Sequence, residues 1–136
     1  MRIEGDIFKN EETGRYWAVV IPALGIHTQG TSKKDALAMA KDAVETVVGD
    51  AGVTVASTKD GFTVSCADQR MLFAAILKRQ RALAGLSAAT VARRIGQRSE
   101  TGVLRYEQGR TKISFEKFSE IISAVNPALD PILKIG

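Results

Sequence analysis

The sequence contains a single cysteine and a single histidine in 136 residues. Cys66 therefore has no partner for an intrachain disulfide framework, and together with His27 it supplies too few soft ligands for a structural zinc site. Both are read as structural residues, Cys66 as a small apolar strand residue, because free cysteine behaves as a buried hydrophobe unless a base or cation activates it. Long apolar runs are missing as well. The longest stretches, residues 17–24 and 71–77, fall well short of the roughly 18 residues needed to span a bilayer. The N-terminus carries Glu4 and Asp6 and lacks a basic start followed by an apolar run, so no secretory signal is expected and the location is expected to be cytoplasmic. Hydrophobic residues at 45% and charged residues at 25% place the chain among soluble globular proteins, not disordered or fibrous ones.

The net charge of +4 is unevenly distributed. Residues 1–68 hold 7 Lys+Arg against 10 Asp+Glu, a net of −3, whereas residues 69–136 hold 12 against 5, a net of +7. A basic second half has the footprint of a phosphate-backbone binder, and an acidic first half suits a basic partner.

In the first half, Ile3, Gly5 and Ile7 alternate with Glu4 and Asp6, and a turn-like segment, 10–14, separates this strand from a second over 15–22. Leu24-Gly25 reverses the chain into a short third strand over 26–29. Ser32, with Asp35 three positions on, opens a helix in which Ala36, Leu37, Ala40, Ala43, Val44, Val47 and Val48 recur at helical spacing. Two more strands, 53–57 and 62–66, flank Lys59-Asp60-Gly61, a hairpin signal. From Gln69 no strand pattern remains. The fold class is therefore α+β, with an N-terminal β-β-β-α-β(β) domain over 1–68 and an all-α domain over 69–136.

Gly85, Gly96, Gly109 and Pro127 divide the second half into short helices. Ser87 is the expected N-cap of a helix over 88–95, Ser99 of one over 100–108, and Ser114 of one over 115–125. Gly85-Leu86-Ser87, Ala92-Arg93-Arg94-Ile95-Gly96 and Val103-Leu104-Arg105-Tyr106-Glu107-Gln108-Gly109 resemble the lambda-repressor and Cro class of helix-turn-helix domains over about residues 74–125. The resemblance implies an ion pair between Arg81 and Glu107 that holds the bundle without touching DNA. The turn between Gly96 and Val103 is one residue longer than the usual spacing of that class, which leaves the register of the reading residues open by one position.

With Ser99 as cap, the early exposed residues of the recognition helix are Glu100, Thr101 and Gly102, with Arg105 one turn further on the same face. Arg105 can donate two bonds to guanine O6 and N7, Thr101 can touch a thymine methyl or a phosphate, and Glu100 can accept from cytosine N4 or simply favour the helix N-terminus. Gln97, Arg98, Arg110 and Lys112 flank this helix, and Ser87 opens another, so these are candidate phosphate contacts. Two half-sites about one helical turn apart imply a homodimer or higher homo-oligomer.

The run Tyr16-Trp17-Ala18-Val19-Val20-Ile21-Pro22-Ala23-Leu24-Gly25, followed by Thr28-Gln29-Gly30-Thr31 and the helix from Lys34, resembles the HicB antitoxin domain over about residues 1–50. That resemblance implies a reduced ribonuclease-H-like fold, neutralisation of a small basic HicA-type ribonuclease toxin, and autorepression through a C-terminal DNA-binding domain. Tyr16 and Trp17 are candidate toxin contacts, one of the pair being expected in the core. Catalysis is not expected: Glu4 and Asp6 share a strand face, but the second strand has no acid to complete a two-metal site. No metal or cofactor is expected. The competing expectation is a stand-alone repressor whose first domain senses a small ligand.

Overall fold

The computed structural model describes residues 1–12, 14–129 and 131. The chain divides into two compact units, Met1–Leu72 and Phe73 onward.

The first unit is a five-stranded sheet with one long helix on it. The strands are β1 (Arg2–Lys9), β2 (Trp17–Ile21), β3 (Ile26–Gly30), β4 (Val53–Ser57) and β5 (Phe62–Cys66), and the helix α1 (Lys33–Val48) lies between β3 and β4 in sequence. The order across the sheet is β3-β2-β1-β5-β4, and every neighbouring pair is antiparallel. Alternation along β1 works as expected: Ile3 and Gly5 are buried, while Glu4 and Asp6 are exposed. A single 3-10 turn, Pro22–Leu24, and Gly25 at φ 60° accomplish the reversal between β2 and β3. The strand that follows α1 takes the outer edge of the sheet, and β5 returns beside β1 with Ile3 opposite Val64 and Gly5 opposite Phe62.

Helix α1 begins where Ser32 Oγ accepts from Asp35 N–H at 3.0 Å. The reciprocal bond falls one residue earlier than in a capping box: Asp35 Oδ2 accepts from the backbone N–H of Thr31 at 2.9 Å and from its hydroxyl at 3.2 Å. Ala36, Ala40, Val44 and Val48 form the buried row, spaced by four residues, and the helix packs across β2, β3 and β4. The small side chains at the start of that row permit a close approach. A Cβ on Gly30, the last residue of β3, would overlap the backbone of Ala36, and one on Gly5 would overlap the ring of Phe62, which is 1% exposed. Cys66 is buried at the end of β5; desolvation, and secondarily the Asp68 carboxylate, push its thiol up, so it packs as a neutral apolar group.

The second unit holds α3 (Ala88–Arg94), α4 (Thr101–Glu107) and α5 (Phe115–Val125), preceded by α2 (Gln69–Leu83). The division between units falls inside α2, whose first turn bonds the end of the preceding segment: Gln69 Nε2 donates to the Cys66 carbonyl and Arg70 N–H to Asp68. Val91, Ala92, Val103, Phe118, Ile121, Ile122 and Val125 form the second core, with Phe73 edge-on to Phe118 at 4.6 Å. Among the described residues, no helix is long and apolar enough to cross a membrane.

The close contact of β3 with α1 predicts that Gly30→Ala destabilises the first unit by about 1–3 kcal/mol, since backbone on both sides must move apart to admit one methyl. Trp17, the chain's one tryptophan, reports on it by fluorescence in a urea titration. An unchanged midpoint would contradict the packing described.

Candidate nucleic-acid interface

Two Ser caps and two glycine stops build the central helix pair. Ser87 Oγ accepts from Thr90 N–H at 3.1 Å and shares a bond with the Thr90 hydroxyl at 2.9 Å. At the other end of α3, Gly96 adopts φ 77°, its N–H donating to the Arg93 carbonyl and the Gln97 N–H to the Ala92 carbonyl, a Schellman closure that turns the chain toward α4. Ala92 is 1% exposed where α3 meets α4. Helix α4 starts one residue later than the sequence suggests. Glu100, already in the right-handed helical region at φ −73° and ψ −10°, occupies the N-cap position without a side-chain cap. Ser99 nevertheless supplies the capping bond, its Oγ accepting from Thr101 N–H at 3.2 Å and meeting the Thr101 hydroxyl at 2.8 Å.

Arg81, near the end of α2, and Glu107, the last residue of α4, form the expected pair. Arg81 Nε donates to both Glu107 oxygens at 2.9 and 3.1 Å, Nη2 donates to Oε1 at 2.7 Å, and Nη1 donates to the Leu86 carbonyl at 3.0 Å. The side chains are 20% and 5% exposed. The hydrogen-bonded carboxylate holds the guanidinium still more firmly in its charged form, against the opposing effect of burial. This pair joins α2, the turn after it and the end of α4.

The outward face of α4 carries Thr101, Leu104, Arg105 and Gln108, spaced as one helical stripe, and these residues with Arg110 and Thr111 line one shallow concavity. Three of the expected DNA contacts, Thr101, Arg105 and Arg110, are thus brought together there. Arg98, Ser99, Glu100 and Lys112 are exposed in the flanking turns. Gly102 is not an exposed reading position. It is half-buried, and the Gln97 side chain stands over it, with Oε1 3.0 Å from where a Cβ would lie, so Gln97 covers the start of α4. Sequence reasoning missed Leu104, Gln108 and Thr111, although their spacing from Thr101 and Arg105 was available to it. Arg94, given no role from sequence, donates to the Ala124 carbonyl at 2.8 Å and closes the last turn of α5. In the first unit, Tyr16 is exposed just before β2, while Trp17 is half-buried on the same side as Val19 and Ile21.

A family model described as a helix-turn-helix domain matches residues 72–126. A comparison with curated proteins gives no match. The match supports a helix-turn-helix domain in the second unit, the class that binds DNA in transcription regulation.

The buried pair yields a stability test. Glu107→Ala leaves the mostly buried Arg81 charge without its acceptor and should cost about 3 kcal/mol, measured as a fall in the denaturation midpoint of the helical signal. A loss below about 1 kcal/mol would show that the pair is not what joins α2 to α4.

Proposed function

We propose that the chain is a HicB-type antitoxin that represses its own operon. In this reading the helix-turn-helix domain binds operator DNA as a homodimer in the cytoplasm, and the N-terminal unit neutralises a small, basic, mRNA-cleaving toxin of the HicA type. The observation that carries the DNA-binding half is the exposed cationic face of α4 and its flanks. Arg98, Arg105, Arg110 and Lys112 are exposed and have no hydrogen-bond or ion-pair partner among the described residues, so their charges are available to a polyanion.

The toxin-binding half is supported by the acidic balance of residues 1–68, by the meander-then-helix order of the first unit, and by the exposed Tyr16 ring beside it. A reduced ribonuclease-H-like outline for that unit is part of the same proposal. The protein acts by binding and not by catalysis: Glu4 and Asp6 lie on β1, while β2 beside it carries no acid to share a metal with them.

Two measurements check the two halves separately. Arg105→Ala should lose about 1–3 kcal/mol of discrimination at one base pair of the operator, whereas Arg110→Ala or Lys112→Ala should weaken binding to all sequences alike and lower the salt slope by about 1. Fluorescence anisotropy on duplexes spanning the DNA around the gene reads both, and the absence of any salt-sensitive, sequence-preferring binding would remove the operator role. For the antitoxin role, the product of a short neighbouring reading frame encoding a basic protein with a central histidine should copurify with the chain. Tyr16→Ala should loosen that complex by at least about 1 kcal/mol without changing DNA affinity. Failure to copurify from co-expressing cells would leave only the repressor.

A further inference from the structure

Leu104 is out of place on a surface built for phosphates. It sits in the outward stripe of α4 between Thr101 and Gln108, adjoins Arg105, and lines the same concavity as Arg110 and Thr111. It is half-buried and so keeps part of its side chain open to that concavity. The surrounding groups offer apolar surface too, through the methyls of Thr101 and Thr111 and the alkyl stems of Arg105 and Arg110. An apolar group exposed there gains nothing from phosphate or sugar oxygens. Among the groups on the major-groove edge of DNA, the one apolar group that projects into the groove is the C5 methyl of thymine, whereas the N and O atoms of that edge are donors and acceptors that Arg105 and Gln108 are equipped to meet.

We infer that the Thr101–Leu104–Arg105 concavity is a subsite for the 5-methyl group of a thymine, adjacent to a guanine held by Arg105. The inference rests on the DNA-binding reading above and adds to it the chemical identity of one base and the residue that selects it. Leu104 is then a specificity-determining residue, distinct from the cations that position the domain. The geometry explains why one stripe holds both a leucine and an arginine: two neighbouring base pairs are read by two kinds of contact.

The test changes the DNA first, so that it does not depend on whether a variant folds. A duplex selected by the full chain from a randomised library is resynthesised with each thymine replaced singly by deoxyuridine, which removes the methyl and keeps every hydrogen-bonding atom. One thymine in each half-site should show a loss of roughly four-fold in affinity, the effect of one methyl-sized group returned to water, and the others little change. With Leu104→Ala the same replacement should make no difference, because the methyl has already lost its partner. Sequence-preferring binding that is indifferent to deoxyuridine at every position overturns the subsite and leaves the DNA-binding reading standing. A deoxyuridine effect that persists undiminished in Leu104→Ala overturns the assignment to Leu104. Failure to select any sequence at all overturns both readings.

Discussion

Arg81 reaches across the second unit to make three hydrogen bonds with Glu107 and a fourth with the Leu86 carbonyl. Its own carbonyl receives the Leu86 N–H at 3.2 Å, so the turn after α2 is tied to Arg81 through both side chain and backbone. The carboxylate it holds is on the last residue of α4, so one guanidinium anchors that end of the helix. Geometry matters more than net energy here. A hydrophobic pair of similar volume could be as stable as a buried ion pair, but it would not fix the direction of its partner as a forked, planar donor does. A helix of seven residues has little stability of its own, and its orientation comes from the packing of Val103 and from its ends.

Several cations of the second half are taken up by the fold itself, and four others gather at α4. Arg81 belongs to Glu107, Arg94 to the Ala124 carbonyl, Arg93 to the Thr90 hydroxyl and Lys117 to Glu120. Arg98, Arg105, Arg110 and Lys112 lie in or beside α4 without such partners among the described residues. Some of the charge in the basic half is thus held by internal partners and some faces outward beside α4, which composition alone could not show. Arg105 and Arg110 share a concavity with Leu104 and Thr101, so cationic and apolar groups lie side by side on that face.

Much of this was legible in the sequence because it is local. Serine hydroxyls at positions 32, 87 and 114 accept the N–H three residues on, as their spacing suggests, and Gly25, Gly96 and Gly109 take the positive φ that the turns require. The Arg81–Glu107 pair, although 26 residues apart, was legible through resemblance to a known class. Other features depend on contacts that the sequence does not encode locally. Glu100, not Ser99, takes the N-cap position, although the capping bond still comes from Ser99. Gly102 is half-buried beneath the Gln97 side chain, a contact that spacing along α4 does not reveal. The placement of β5 beside β1, with β4 outside it, arises from strand pairing between distant segments, for which alternation fixes the face but not the neighbour.

The opposite charges of the two halves also bear on how partner binding in one affects DNA binding in the other. Residues 1–68 contribute −3 and residues 69–136 contribute +7, and charges act on one another only within about the screening length, about 8 Å at physiological salt. A basic protein bound to the first half would cancel or reverse that contribution. Within that range the field of such a basic partner would favour DNA binding, equally for every sequence because it acts through phosphates. Any weakening of repression by such a partner would have to come from steric exclusion or from altered pairing of the two half-site readers. Those effects do not vanish with salt, whereas the field does, so the ionic-strength dependence of the coupling separates the two physical origins.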